Sequence, residues 1–192
     1  MQDTFQNEKK QALVLMGSPR RNGATAELVR CFTDLWQSRR HEYTVIEAYQ
    51  AAVKPCVHCG YCKRALACRY DDDFSLIDRG FREADLLVVA SPVYGLGFPG
   101  PLKAVFDRTQ RYFEAKFSLG VEHPIEKHKT ALLLAAYGSK SSRGVELMEE
   151  HLRLMFLLLN ASLKGTITAP NTDSIPVDSH RVAGELKLFL NF

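Results

Sequence analysis

The chain has no hydrophobic run approaching the roughly 20 residues that a membrane-crossing helix needs. The run Leu154–Leu159 stops far short and follows Arg153. Charge of one sign is not in large excess either: 25 Lys and Arg face 22 Asp and Glu, for a net charge of +3. No basic tract, and no interleaving of basic and aromatic residues, marks a nucleic-acid surface. Neither membrane nor nucleic acid is therefore an expected partner. The opening stretch, Met1–Gln11, is polar and carries no apolar signal core, so a cytoplasmic location is the expectation. Repeats, low-complexity tracts and linkers are missing too. At 192 residues and 46% hydrophobic, the chain reads as one domain over 1–192 with a sizeable core.

Cysteine is sparse except in one place. Of five cysteines, Cys56, Cys59, Cys62 and Cys68 crowd into one short stretch. An odd total so crowded does not read as a secreted disulfide framework, and in a reducing compartment it points to a metal site. The first three recur every third residue, as in bacterial ferredoxin loops, and the fourth follows after five more. Soft thiolates suit an iron–sulfur cluster and also zinc. Structural zinc more often uses two CxxC pairs well apart, so one compact loop favours [4Fe–4S]. Zinc, or thiols without metal, are the alternatives. His58 reads as a solvent-facing loop residue rather than a ligand. Cys31 reads as a core residue of the first helix.

Strands and helices alternate along the chain. Apolar runs at Ala12–Met16, Leu86–Ala90 and Thr130–Ala136 predict strands, joined by Tyr43–Glu47 and Leu163–Thr168. Helical spacing predicts helices over Ala26–Arg39, with Leu28, Phe32, Leu35 and Trp36 inward, and over Val145–Asn160, with Val145, Met148, Leu152 and Phe156 inward. A helix opening at Asp71-Asp72-Asp73 carries Phe74, Ile77 and Phe81. Another runs from about Leu102 with Val105, Phe106, Thr109 and Phe113 inward, and a last spans Ser179–Leu190. Such alternation calls for a parallel sheet covered on both faces, flavodoxin-like in size; the strand order expected of a flavodoxin-like sheet is 2-1-3-4-5.

Gly17–Thr25 joins the first strand to the first helix. A helix N-terminus offers unpaired N–H groups and a positive dipole end. Ser18, Thr25, Asn22, Arg20 and Arg21 add further donors, so a phosphate is the natural guest. The loop has neither the GxxxxGK[ST] spacing of a P-loop nor the GxGxxG of a dinucleotide site, which argues against a nucleoside triphosphate. An ordinary βα turn is the bland alternative. In a doubly wound sheet this loop would meet Ser91–Pro101 and Tyr137–Gly144 at the carboxyl ends of the strands. Gly95 and Gly97 would let a planar ring approach the main chain, and Tyr94 gives a flat contact. A phosphate beside a planar, hydrogen-bonding ring points to FMN.

Three segments carry a resemblance. GSPRRNGATAEL (17–28) resembles the phosphate loop of the NADPH-dependent FMN reductase family, a branch of the flavodoxin-like superfamily. SPVYGLGFPGPLKAVFDR (91–108) resembles that family's second flavin loop and following helix. PCVHCGYCKRALACRYDDD (55–73) stands where the family's iron–sulfur flavoproteins carry their cysteine motif, here an insertion over 54–70. The resemblance implies a flavodoxin-like three-layer sandwich. It implies that Ser18, Arg20, Asn22, Gly23, Ala24 and Thr25 hold the FMN phosphate. Pro92, Val93, Tyr94 and Gly95 would line the isoalloxazine and ribityl chain, and Cys56, Cys59, Cys62 and Cys68 would hold a [4Fe–4S] cluster. Ala24 departs from an Asn common in relatives, and Leu96 and Gly97 replace bulkier or polar residues.

With the chemistry on FMN, no acid–base side chain is expected to be essential. NAD(P)H is the expected donor, and Lys103 and Arg108 are either a lure for its negative charge or a solvated helix face. A quinone, free flavin, dioxygen, metal ion or aromatic metabolite could accept the electrons. The rival is an electron carrier reduced by ferredoxin. The family resemblance implies a homodimer or homotetramer, with Phe113, Phe117 and Leu119 as candidate interface residues.

Overall fold

The computed structural model describes residues 9–190. Most of the polar opening stretch therefore lies outside the described residues. Five strands form one sheet: β1 (Gln11–Met16), β2 (Glu42–Glu47), β3 (Leu86–Pro92), β4 (Lys129–Ala136) and β5 (Ala161–Ala169). All neighbours are parallel and the order is β2-β1-β3-β4-β5, as the sequence predicts. The inner strands β1, β3 and β4 are the continuous apolar runs. A parallel strand covered on both faces has no solvent side on which to alternate. Leu13 pairs with Leu87, and Leu87 with Ala131, across the centre.

Helices cover both faces. α1 (Ala24–Ser38) and α6 (Ser179–Leu190) lie on one, closing over Ala12, Val14, Val88, Leu132 and Leu134 with Leu28, Phe32, Trp36, Val182 and Leu186. The other face takes α2 (Phe74–Glu83), α3 (Gly100–Asp107), α4 (Gln110–Phe117) and α5 (Arg143–Leu158). Their Phe74, Ile77, Phe81, Leu102, Tyr112, Met148 and Leu152 close over Leu13, Leu15, Leu87 and Leu133.

Three expectations about the helices change. The helix expected from Leu102 through Phe113 is two helices, broken at Arg108–Thr109, where the Thr109 hydroxyl bonds back to the Phe106 carbonyl at 2.7 Å. A Thr hydroxyl that takes a local carbonyl competes with the helical ladder. Because α4 starts afresh, Phe113 faces out at 40% exposure and pairs with the exposed Phe117 at 4.5 Å between ring centroids. Cys31 is only partly buried, against the core rather than inside it.

Candidate functional site

The three glycine-bearing loops do meet at the carboxyl ends of β1, β3 and β4. The strand order reverses between β1 and β3, which is where such sheets bind ligands. Gly17 donates its N–H to the Ala90 carbonyl at 2.7 Å, tying the first loop to β3. A Cβ on Gly17 would sit 2.6 Å from Leu102 Cδ2 and 3.3 Å from Ser91 Oγ, so a larger residue there would have to push the buried Leu102 side chain aside.

The first bond of the α1 ladder runs from the Glu27 N–H to the Gly23 carbonyl, and Gly23 caps the helix without a side-chain bond. The N–H groups of Ala24, Thr25 and Ala26 therefore stand outside the ladder, as helix geometry requires. Ser18 is buried and its Oγ accepts the Arg20 N–H at 3.2 Å. That leaves the hydroxyl proton to donate. Thr25 is buried in the first turn, while Arg20 and Asn22 are exposed at the rim. Arg21 turns away: its Nε donates to Glu47 of β2 at 3.1 Å, so it is a strut for the loop rather than part of the cradle. Backbone N–H groups, two hydroxyls and a positive dipole end can hold a phosphate here.

In the second loop Val93 donates to the Ala136 carbonyl at 2.9 Å, and Tyr94 and Gly97 exchange N–H···O bonds at 3.0 Å. Gly95 and Leu96 between them have φ of 55° and 64°. Two successive positive φ values are the signature of a type I′ turn. Added Cβ atoms on Gly95, Gly97 or Gly100 would meet nothing within 4 Å, so this face of the loop is open to a flat guest. The stretch 95–100 happens to match GxGxxG. Its glycines nevertheless do not make the close helix–strand packing of a dinucleotide fingerprint.

The third loop closes against the second: a Cβ on Gly144 would lie 2.4 Å from Val93 Cγ1 and 3.4 Å from Leu96 Cα. Behind the turn, Phe98 packs edge-on against Phe106 (4.9 Å) and His151 (5.6 Å). Burial, then the nearby Lys103, push the His151 pKa down, so a neutral ring backs the loop.

The cysteine loop lies apart from these three, against α4. A 3₁₀ turn at Tyr61–Lys63, entered through Gly60 at φ 73°, shapes its middle. Cys56, Cys59, Cys62 and Cys68 line one cleft together with Tyr70, Arg108, Arg111 and Glu114. All four are free thiols, and burial pushes the Cys62 thiol up. His58 is exposed, as expected. Among the described residues no group of three or more His, Cys, Asp or Glu converges to hold a single metal ion. The donor set itself, four thiols on one loop with a buried cation beside them, is of a kind that suits an iron–sulfur cluster.

That cation is Arg108, and the structure corrects its expected role. Its side chain is 2% exposed, so it is neither a solvated face nor a lure for nucleotide. Nη1 donates to Asp72 Oδ2 at 2.8 Å and to the Lys54 carbonyl at 2.9 Å, and Nη2 to Asp72 Oδ1 at 3.2 Å. Asp72 Oδ2 also accepts the Lys54 N–H (3.0 Å) and Asp73 Oδ2 the Ala52 N–H (2.8 Å). The neck of the loop is thereby closed. Arg111 ties its middle, donating to the Leu66 carbonyl at 2.7 Å. Burial opposes the charges of both partners. The ion pair wins: the Asp72 carboxyl stays below its ordinary range and Arg108 above its own, the latter helped by the Cys68 thiol beside it. The acidic triplet does start α2, since Asp72 Oδ1 accepts the Phe74 N–H at 3.2 Å. Sequence reasoning missed the clamp. Its partners are 36 residues apart, and only the alternation of opposite charge at 71–73 and 108–111 hints at it.

A five-stranded parallel sheet in this order, with three loops gathered at its switch point, defines a flavodoxin-like α/β protein. The family model for NADPH-dependent FMN reductase matches residues 11–170, and the chain belongs to that family. It is 31% identical over 127 residues to an iron-sulfur flavoprotein of Methanosarcina thermophila, covering 66% of this chain and 63% of that protein. It is 29% identical over 146 residues to an iron-sulfur flavoprotein of Archaeoglobus fulgidus, covering 76% and 70%. The chain thus spans somewhat under two thirds of the length of the first of these relatives. Among solved structures it is similar in fold to an NAD(P)H:quinone oxidoreductase from Methanothermobacter marburgensis (TM-score 0.67, 18% identity, 94% of both chains). A similar fold is seen in an FMN-dependent NADH-azoreductase from Bacillus anthracis in complex with FMN (TM-score 0.67, 12% identity, 94% and 99%). No described helix is long and apolar enough to cross a membrane.

Proposed function

We propose that the protein is an FMN-dependent oxidoreductase, fed by NAD(P)H, whose cysteine loop carries a [4Fe–4S] cluster. The observation that carries the flavin part is the meeting of a helix N-terminus with an open glycine face at one switch point. The chemistry supplied by bound FMN is two-electron or one-electron transfer at its ring, and that of a cluster is one-electron transfer. Ser18, Asn22, Gly23, Ala24 and Thr25 bind the phosphate, with Arg20 at the rim. Pro92, Val93, Tyr94 and Gly95 flank the ring and keep water from one side of it. Cys56, Cys59, Cys62 and Cys68 ligate the cluster. The names of the relatives and the donor set support that last assignment.

The test is anaerobic purification with flavin, iron and sulfide analysis, followed by titration with NADH and NADPH. Flavin with iron and sulfide, and bleaching of the flavin by either nucleotide, is the expected result. A colourless protein containing zinc would overturn it. A second reading, a carrier reduced by ferredoxin, has its own observation. Residues 54–70 hold Lys54, Lys63, Arg64 and Arg69 and no Asp or Glu, a basic collar suited to an acidic protein. Reduction by ferredoxin but by neither nucleotide would favour it. Self-association, a small-molecule acceptor and a cytoplasmic location belong to the same proposal.

A further inference from the structure

One buried donor in the cysteine cleft is left over. Among the described residues, Arg108 Nε is the sealed side-chain nitrogen or oxygen with no hydrogen-bond partner. An orphaned buried donor costs about 1–3 kcal/mol, and more on a charged group, so a native chain rarely keeps one idle. Both terminal nitrogens of the same guanidinium are engaged, by Asp72 and the Lys54 carbonyl. The side chain therefore cannot swing to satisfy Nε without breaking the neck of the loop. Arg108 lines the cleft together with the four cysteines.

We infer that Arg108 is the positioning residue of the cysteine centre: Asp72 holds its guanidinium so that the free Nε–H donates to the sulfur-rich group held by Cys56, Cys59, Cys62 and Cys68. The inference rests on the iron–sulfur reading above. It adds a residue outside the cysteine motif and gives it two effects. Four thiolates around an iron–sulfur core bring net negative charge into a half-buried cleft. A fixed guanidinium opposes that charge and favours the more negative, reduced state, and a hydrogen bond to sulfur acts in the same direction. The Asp72 pair and the Lys54 bond to the same carboxylate hold the donor in place at the neck of the loop. Lysine could keep the charge but has no planar fork to share between Asp72 and the cleft.

The test uses the full chain, wild type, Arg108→Lys and the charge-neutral double variant Asp72→Asn/Arg108→Gln, each reconstituted anaerobically with iron and sulfide. Iron and sulfide per chain, the electron paramagnetic resonance spectrum of the reduced centre and its midpoint potential are read. FMN content and thermal unfolding of the metal-free proteins report on the fold. Arg108→Lys is expected to load fully, with a lower potential and an altered spectrum. The double variant is expected to load less, with a still lower potential, while binding FMN as wild type does. Wild-type potential and spectrum in both loaded variants would overturn the inference while leaving the iron–sulfur reading intact. If the wild type itself takes up no iron and sulfide, the reading falls and the inference with it. Should the double variant fail to fold, Arg108→Lys alone decides.

Discussion

At the scale of single residues, the least expected group is Lys129 at the start of β4. It is 2% exposed and donates to the carbonyls of Lys127 and Leu159, with no carboxylate in contact. Burial first, then the charges of Lys127 and Arg82, push its pKa from 10.5 down to about 8, and Asp85 offsets only part of this. A lysine depressed on folding holds fewer protons than the unfolded chain between those two values. Stability should therefore rise as pH climbs from about 8 to about 10.5, by on the order of 3 kcal/mol. Chemical denaturation across that range is the measurement, and Lys129→Met should lack the rise. Gly144 is the other telling residue. A methyl there must displace Val93, a stiff β-branched side chain, at a cost of about 1–3 kcal/mol. Gly144→Ala should lower FMN affinity by moving the third loop off the second. Adding Val93→Ala should restore much of it, a coupling that a double-mutant cycle measures by fluorescence titration.

At the scale of elements, the break between α3 and α4 matters more than either helix. It puts Arg108 at the end of α3 and Arg111 in the first turn of α4, and both reach the cysteine loop. Breaking a buried ion pair from one side costs about 3–5 kcal/mol, because the other charge is left stranded. Arg108→Met should show a loss of that size in denaturant unfolding, and Asp72→Asn/Arg108→Met a clearly smaller one. The elements themselves were legible where burial is periodic. β1, β3 and β4 are uninterrupted apolar runs, and α1 and α5 carry clean stripes, so the parallel sheet and its two covering layers follow from the pattern, while the strand order rests on the flavodoxin-like resemblance. The 102–113 stretch defeated the same reasoning because Thr109 sits at an inward position of a continuous stripe. Its hydroxyl bond to Phe106 is a local choice that hydrophobicity does not record. The gathering of three glycine-bearing loops was readable, since they follow β1, β3 and β4, which lie side by side at the centre of a sheet of this order. The closed neck of the cysteine loop was not, because it depends on a charge pair spanning two elements.

At the scale of the whole molecule, two surfaces stand out. Phe113, Phe117, Leu154 and Leu157 are exposed on the helical face that α4 and α5 share. If self-association uses this face, Phe117→Glu with Leu157→Glu should shift the sedimentation coefficient to that of a single chain without loss of FMN.

The other surface is the cysteine loop, and its closed neck makes it a cassette. Ala52 and Lys54 are bonded directly to Asp73 and Asp72, so the chain leaves the fold and returns to it within hydrogen-bond distance. A segment whose ends already touch can be cut out and bridged by a few residues at little entropic cost. Replacing 56–70 with a short Gly-Ser bridge should leave a folded flavin protein of near wild-type Tm that binds no iron. Moved onto another sheet of this type, with partners for Asp72 and Arg108, the same stretch should carry its metal chemistry along. The two redox roles proposed for this chain are then separable pieces, open to gain or loss without rebuilding the domain that carries them.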